Sequence, residues 1–195
     1  DIYTEVPELI SHVHLPVQSG SNNILKAMRR RHTRDEYIET INKLKEIRPG
    51  ISISSDFIVG FPGESEQDFQ DTLDLTDEVE YDESFSFIYS PRPNTTAKDL
   101  EDSVSPQEKK ERLDRLQAKL EQSALSISRR MVGRVSNSLV TGVSKKDPGE
   151  FQARTENNKV VIFSCDDQSL IGNFVPVEIV EAKTKSLRGI YRPEC

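Results

Sequence analysis

The sequence predicts an α/β body followed by an all-β domain, and three observations carry this. Strand-like and helix-like patterns alternate through residues 1–125. Three of the helix starts there pair a Ser or Thr cap with an acid three positions on. After Met131 the helical period stops, and short strands punctuated by Gly, Asn and Pro take over. The order β-α-β-α-β-α favours parallel strands joined by right-handed helical crossovers. Five or so strands in about 60 residues favour a small closed barrel. The boundary is expected near Ser128–Gly133, which divides the chain into residues 1–127 and 128–195.

Each element has its own warrant. HVHLPV (12–17) is short, apolar and rich in strand formers, and NNILKAMRRR (22–31) has a helical pattern. Thr33-Arg34-Asp35-Glu36 is a capping box opening a helix whose stripe is Tyr37, Ile41, Leu44 and Ile47, stopped by Pro49-Gly50. ISISSDFIVG (51–60) reads as one strand. Ser65 caps the next helix through Ser-Glu-Gln-Asp, with Phe69, Leu73, Thr76 and Val79 on one face. ESFSFIYS (83–90) has a period of two. A loop rich in Pro, Asn and Thr follows. Ser105-Pro106-Gln107-Glu108 then starts a long helix expected to reach Met131, with Leu113, Leu116, Leu120, Ala124, Ile127 and Met131 in its stripe.

Composition narrows the class. Of 195 residues, 34% are hydrophobic and 30% charged, as in a soluble globular protein. No apolar run approaches the roughly 20 residues that span a bilayer, and DIYTEVPELI lacks the basic start and apolar centre of a signal peptide. The expectation is a cytoplasmic protein, and the missing initiator Met points to a piece of a longer one. Cys165 and Cys195 show no ligand spacing and are expected as free thiols, with no metal site in this chain. Charge is uneven. Residues 126–195 hold 11 Lys and Arg against 8 Asp and Glu, a balance of +3, whereas residues 1–125 hold 15 against 25, a balance of −10. A basic tail on an acidic body fits two domains and a polyanionic partner for the tail.

Phe61-Pro62-Gly63-Glu64 fits a type II turn, with Pro and Gly at the two central positions. It is neither a phosphate loop, lacking the Lys-Ser/Thr pair, nor a dinucleotide G-x-G-x-x-G. Asp56, just ahead of it, is the informative residue. A carboxylate on an apolar parallel strand costs several kcal/mol unless something pairs with it. Ligands of open α/β sheets and barrels sit beyond the carboxyl ends of the strands. There a carboxylate can accept hydrogen bonds from two vicinal hydroxyls. The first strand ends similarly in Gln18-Ser19-Gly20-Ser21, where Gln18 can donate and accept and Gly20 permits close approach.

HLPVQSGS, SSDFIVGFPGE and YSPRPNTTA, in this order and spacing, resemble the second half of a radical S-adenosylmethionine domain, specifically that of the methylthiotransferase family. SSDFIVGFPGE is similar to the family element G-x-I-x-G-x-P-G-E but has Asp56 in place of its first Gly. The segment from Arg154 to Phe163, RTENNKVVIF, is particularly similar to the tRNA-modifying, MiaB-type members, and the second domain resembles the TRAM module, a small RNA-binding, OB-like barrel.

This resemblance implies the last three βα units of a partial (β/α)6 barrel followed by TRAM. Gln18 and Asp56 would grip the ribose of S-adenosylmethionine. Ile58 and Gly60 would lie near the adenine, with Ser19 and Arg92 at the same cofactor cleft. The full enzyme would add a methylthio group to carbon 2 of an isopentenylated adenosine beside the anticodon of tRNA. One S-adenosylmethionine would supply the methyl group and a second the 5′-deoxyadenosyl radical, with sulfur coming through an auxiliary cluster. The cysteines for both 4Fe–4S clusters would belong to a missing N-terminal part of the same protein, so this chain alone is expected to be inactive.

Other features stay open between two roles. Arg29-Arg30-Arg31-His32 either touches an RNA backbone or ends a solvated helix. His12 and His14, with no third ligand nearby in sequence, fit a structural or surface role better than metal binding. Arg92 either faces the cleft or sits in a loop stiffened by Pro91 and Pro93. Arg129, Arg130, Arg134, Lys145, Lys146, Arg154, Lys159 and Arg188 are the candidates for a phosphate-binding face on the barrel. Two rival functions are a RimO-type methylthiotransferase acting on an Asp of a ribosomal protein and a non-catalytic RNA-binding module.

Overall fold

The computed structural model describes residues 2–6, 8–93, 97 and 100–193. The chain forms two compact units: Val13–Ser123, and Asp1–His12 together with Ala124–Cys195.

In the first unit β1 (His12–His14) pairs with β2 (Ser52–Ser54), and β3 (Asp56–Val59) pairs in parallel with β4 (Phe85–Ile88). Gln18 forms an isolated parallel bridge with Phe57. The expected strand over 51–60 is therefore broken at Ser55, and the reason is local. Pro16 has no N–H to give to a ladder. Ser55 Oγ stands in, accepting from Val17 N–H at 3.0 Å and donating to Leu15 C=O at 2.9 Å. The N–H of Ser55 goes to Ser84 Oγ at 3.0 Å.

After α1 (Ile2–Glu5), the helices are α2 (Asn22–Ala27), α3 (Arg34–Ile47), α4 (Glu66–Val79) and α5 (Pro106–Arg129). The capping boxes at Thr33/Glu36 and Ser65/Asp68 are both formed, and Ser105 with Glu108 exchanges the same reciprocal bonds. α2 is shorter than its pattern. Arg29 turns left-handed at φ 57°, so Arg29–His32 lie in the connection to α3 and not on a helix. α5 ends at Arg129, two residues before Met131.

The helices bury Tyr37, Ile41, Phe69, Leu73, Val79, Leu116 and Leu120, the strands contribute Ile53, Phe57 and Val59, and the segment after β1 contributes Val17. Phe57 and Tyr81 meet edge to face at 5.1 Å. The other face of the sheet is open. Phe85 and Phe87 are 53% and 54% exposed, in register with Asp56 and Ile58.

In the second unit β5 (Val135–Val143), β6 (Glu150–Arg154), β7 (Val160–Ser164), β8 (Phe174–Ala182) and β9 (Leu187–Tyr191) close into a barrel of order β5-β6-β7-β9-β8. All pairs are antiparallel except β7 with β9. Val140, Phe151, Ala153, Val161, Phe163, Val175, Val177, Ile179 and Leu187 fill it. Gly189 lets β9 pass close over this core, because a Cβ there would lie 2.2 Å from Val177 Cγ1.

Candidate cofactor site and nucleic-acid interface

Asp56 opens β3, and its burial alternates with that of its neighbours. Phe57 and Val59 are buried against the helices, whereas Asp56 and Ile58 are only half-buried on the open face. Gln18 is held beside it by main-chain bonds. Its N–H donates to Asp56 C=O at 3.0 Å, and its C=O accepts from Ile58 N–H at 2.9 Å. Gln18 takes φ 78°, left-handed geometry that an L residue adopts at a cost of about 1–3 kcal/mol. That strain falls where the first strand ends, next to Asp56. The register pairs Gln18 with Phe57 and not with Asp56. The two residues are joined through backbone, and no hydrogen bond between their side chains occurs among the described residues.

Ser19 is fully buried. Its hydroxyl lies 3.2 Å from Thr72 Oγ1 and accepts from Ser21 N–H at 3.2 Å, so it docks the strand end onto α4. Ser21 caps α2 and also donates to Asp68 Oδ1 at 2.5 Å. Asp68 additionally accepts from the hydroxyl and N–H of Ser65 and from Asn23 Nδ2. Burial pushes its carboxyl up, but the hydrogen bonds of Ser21, Ser65 and Asn23 outweigh this and hold it below the ordinary value. The loops after β1 and β3 are thus tied through one carboxylate.

The turn after β3 holds itself. Glu64 N–H donates to Phe61 C=O at 2.9 Å, and Gly63 has φ 82°, as the type II geometry requires. The Glu64 carboxylate then folds back to accept from Gly60 N–H at 2.8 Å and from Arg112 Nη1 at 2.8 Å. Arg112 also donates to Glu64 C=O at 2.9 Å. Both side chains are almost fully buried, 1% and 6% exposed. Burial pushes the Glu64 carboxyl up, and the bonds from Gly60 and Arg112 offset this only in part. Gly60 itself has φ 68° and packs so close to Lys109 that a Cβ would lie 2.3 Å from its Cγ. Reading the sequence missed this latch, since Arg112 lies 48 residues from Glu64.

Arg92 is exposed on the loop after β4, and residues 94–96 of that loop lie outside the described residues. His14, given no chemical role from sequence, stands beside Asp56. Its Nδ1 is 3.0 Å from Ser54 Oγ and its Nε2 is 3.5 Å from Asp56 Oδ1. Among the described residues no group of three His, Cys, Asp or Glu side chains is arranged to hold a metal ion. Cys165 is a free thiol, and Cys195 lies outside the described residues.

On the second unit, Arg129, Arg130 and Arg134 are exposed where α5 gives way to β5, and Lys145 and Lys146 are exposed in the β5–β6 turn. Arg154 and Lys159 flank the β6–β7 turn. That turn is tightly bonded. Thr155 Oγ1 accepts from Lys159 N–H at 3.0 Å, Asn158 is left-handed, and Arg154 Nη1 donates to Asn158 C=O at 2.8 Å. The turn uses one guanidinium donor of Arg154 and leaves others free, because arginine has five. Arg188 is paired with Glu150, so its charge is already balanced. In-register outward neighbours Arg154, Leu139 and Phe174 form a row across three strands, with Phe174 64% exposed. Sequence reading passed over Phe174, whose exposure follows from its place at the barrel's rim.

Comparison with known proteins defines the class. Residues 2–76 match the Radical SAM superfamily, and residues 129–191 match the TRAM domain. The first match places a radical S-adenosylmethionine likeness in the α/β part of the chain, and the second places a TRAM likeness in the barrel.

Particular relatives are curated as tRNA-2-methylthio-N(6)-dimethylallyladenosine synthase. The chain is 58% identical to that of Hahella chejuensis over 97% of its own length and 42% of the relative's. It is 58% identical to that of Pseudomonas syringae over 96% and 42%, and 56% identical to that of Cellvibrio japonicus over 97% and 41%. The chain therefore spans about two fifths of the length of these relatives, 42% in the first. The methylthiotransferase likeness read from its motifs is the likeness these proteins carry.

Proposed function

We propose that this chain is part of a cytoplasmic tRNA methylthiotransferase that modifies carbon 2 of N(6)-isopentenyladenosine beside the anticodon. The observation that carries this is the likeness of both units, in one chain, to the synthases named above. The first unit supplies three βα units of a partial (β/α)6 barrel, and the second binds the anticodon stem-loop. Residues 1–127 and 128–195 are the working division. The 4Fe–4S clusters are assigned to an N-terminal part of the same protein, in the portion of the relatives' length, about three fifths, that this chain does not span.

The fit to S-adenosylmethionine rests on Asp56, a half-open carboxylate on the open face of β3. When bound, this cofactor supplies a methyl group and a radical initiator. The chain's own residues bind and orient it. Asp56 accepts from the ribose hydroxyls, and Gln18 borders them. Ile58 gives the adenine an apolar wall, Gly60 is the close-packing point of Lys109 beside it, and Ser19 and the Glu64 latch fix the two loops. Arg92, exposed on the loop after β4, is assigned to the same cofactor. On the barrel, Arg129, Arg130, Arg134, Lys145, Lys146, Arg154 and Lys159 meet phosphates, and Arg188 does so only by sharing with Glu150.

The test is genetic and chemical. A strain lacking the full gene should accumulate the unmethylthiolated nucleoside in tRNA hydrolysates, seen by mass spectrometry. Restoring the gene should restore the product, and restoring it with Asp56→Ala should not. Intact methylthiolated tRNA in the deletion strain would overturn the proposal. If a ribosomal-protein Asp lost its methylthio group instead, the RimO-type reading would take its place.

A further inference from the structure

The contact between His14 and Asp56 has no part in the reading above, and it is built as an orienting device. His14 closes β1, and Ser54, at the end of β2, lies beside it on the neighbouring strand. Ser54 is buried, whereas the side chains of His14 and Asp56 are 41% and 32% exposed toward the open face. A neutral imidazole has one donor nitrogen and one acceptor nitrogen. The Ser54 hydroxyl has two acceptors in reach, Nδ1 at 3.0 Å and Val13 C=O at 3.5 Å, and donation to the nearer leaves the ring proton on Nε2, the nitrogen that faces Asp56 Oδ1. The main chain of Asp56 is already pinned, its C=O accepting from Gln18 N–H. Its remaining freedom is rotation of the side chain on an open face.

We propose that His14 is a positioning residue that orients the Asp56 carboxylate toward the ribose hydroxyls of S-adenosylmethionine. The inference rests on the assignment of Asp56 made above. Ser54 fixes the ring plane and tautomer, the ring attracts Oδ1, and Oδ2 is left for the ligand. The 3.5 Å separation is ion-pair range, longer than a strong hydrogen bond, so the ring guides the carboxylate without consuming it as an acceptor. Restricting that rotation before binding reduces the ordering cost met when the ligand arrives.

The experiment uses the full-length protein with its clusters in place. It measures equilibrium binding of S-adenosylmethionine and of its analogue lacking the ribose 2′-hydroxyl. Asp56→Ala should weaken S-adenosylmethionine about tenfold or more and flatten the preference over the analogue, as loss of a charged hydrogen-bond acceptor does. His14→Ala should weaken it about fivefold and flatten the same preference. The double variant should match Asp56→Ala, because the two effects run through one carboxylate. His14→Gln, which keeps an N–H donor, should recover part of the preference.

Unchanged binding in Asp56→Ala would overturn the ribose assignment and this inference with it. A clear loss in Asp56→Ala alongside a full wild-type preference in His14→Ala, or additive losses in the double variant, would overturn this inference alone. If His14→Ala fails to fold, Ser54→Ala carries the test. A flattened preference there supports the proposal, and an unchanged one refutes it.

Discussion

Asp68 and Glu64 are two buried carboxylates with opposite pH signatures. The Asp68 carboxyl is held below its ordinary value of 3.8 by Ser21, Ser65 and Asn23. A depressed value in the folded state means that its stabilisation is present above that ordinary value and is lost as pH falls through the folded one. Asp68→Asn should therefore flatten the acid limb of a denaturation-midpoint profile taken below about pH 4, at some cost in stability at neutral pH. Glu64 is raised by burial, so its contribution runs the other way, present at low pH and lost as pH rises through the folded value. Glu64→Gln keeps the shape in neutral form and removes the nearer charge partner of Arg112, whose Nε stays 3.6 Å from Glu66. In urea denaturation of the full-length protein the variant should lose the fall in stability that ionisation of Glu64 causes, giving a flatter profile as pH rises. Asp56 was legible in the sequence as an odd carboxylate in an apolar run. The partner of Glu64 was not, because nothing local marks a pairing that only the packing of α5 creates.

The helices were the most legible elements, because capping boxes are local chemistry written in four consecutive residues, as at Thr33 and Ser65. The strand over 51–60 was less so. Its apolar continuity hides the break at Ser55, which depends on Pro16 in the segment after β1 and on Ser84 in a third segment. The left-handed Arg29 was equally hidden, since it cut short a helix that the pattern extended through three arginines. Ser55→Ala should leave the buried Val17 N–H without its partner, at about 1–3 kcal/mol, whereas Leu15 C=O keeps the Tyr37 hydroxyl at 2.8 Å. The Val17 amide should then lose protection in hydrogen exchange. Retained protection at Val17 would show that the hydroxyl is dispensable to the pairing.

For the molecule as a whole, charge and topology divide the same way. The acidic α/β portion carries −10 over residues 1–125, and the basic remainder carries +3. That excess is small, so the binding face depends on where the cations lie more than on how many there are. With Arg188 matched by Glu150, the lysines of the β5–β6 turn become the more exposed phosphate candidates. Under the proposed function, binding of the tRNA stem-loop by the full-length protein should weaken steeply with salt. Lys145→Ala with Lys146→Ala should lower the slope of log affinity against log salt by about 1 for each phosphate contact removed, with little change in sequence preference. An unchanged slope would move the interface elsewhere on the barrel.

The alternation of β9 between a parallel neighbour, β7, and an antiparallel one, β8, gives every strand of the barrel two flanking partners. The ring has no raw margin left for another polypeptide to extend by strand addition. Such a self-sealed cassette can be joined to a host at its ends without creating a sticky rim, and its outer wall is then free to diversify for whatever it must hold.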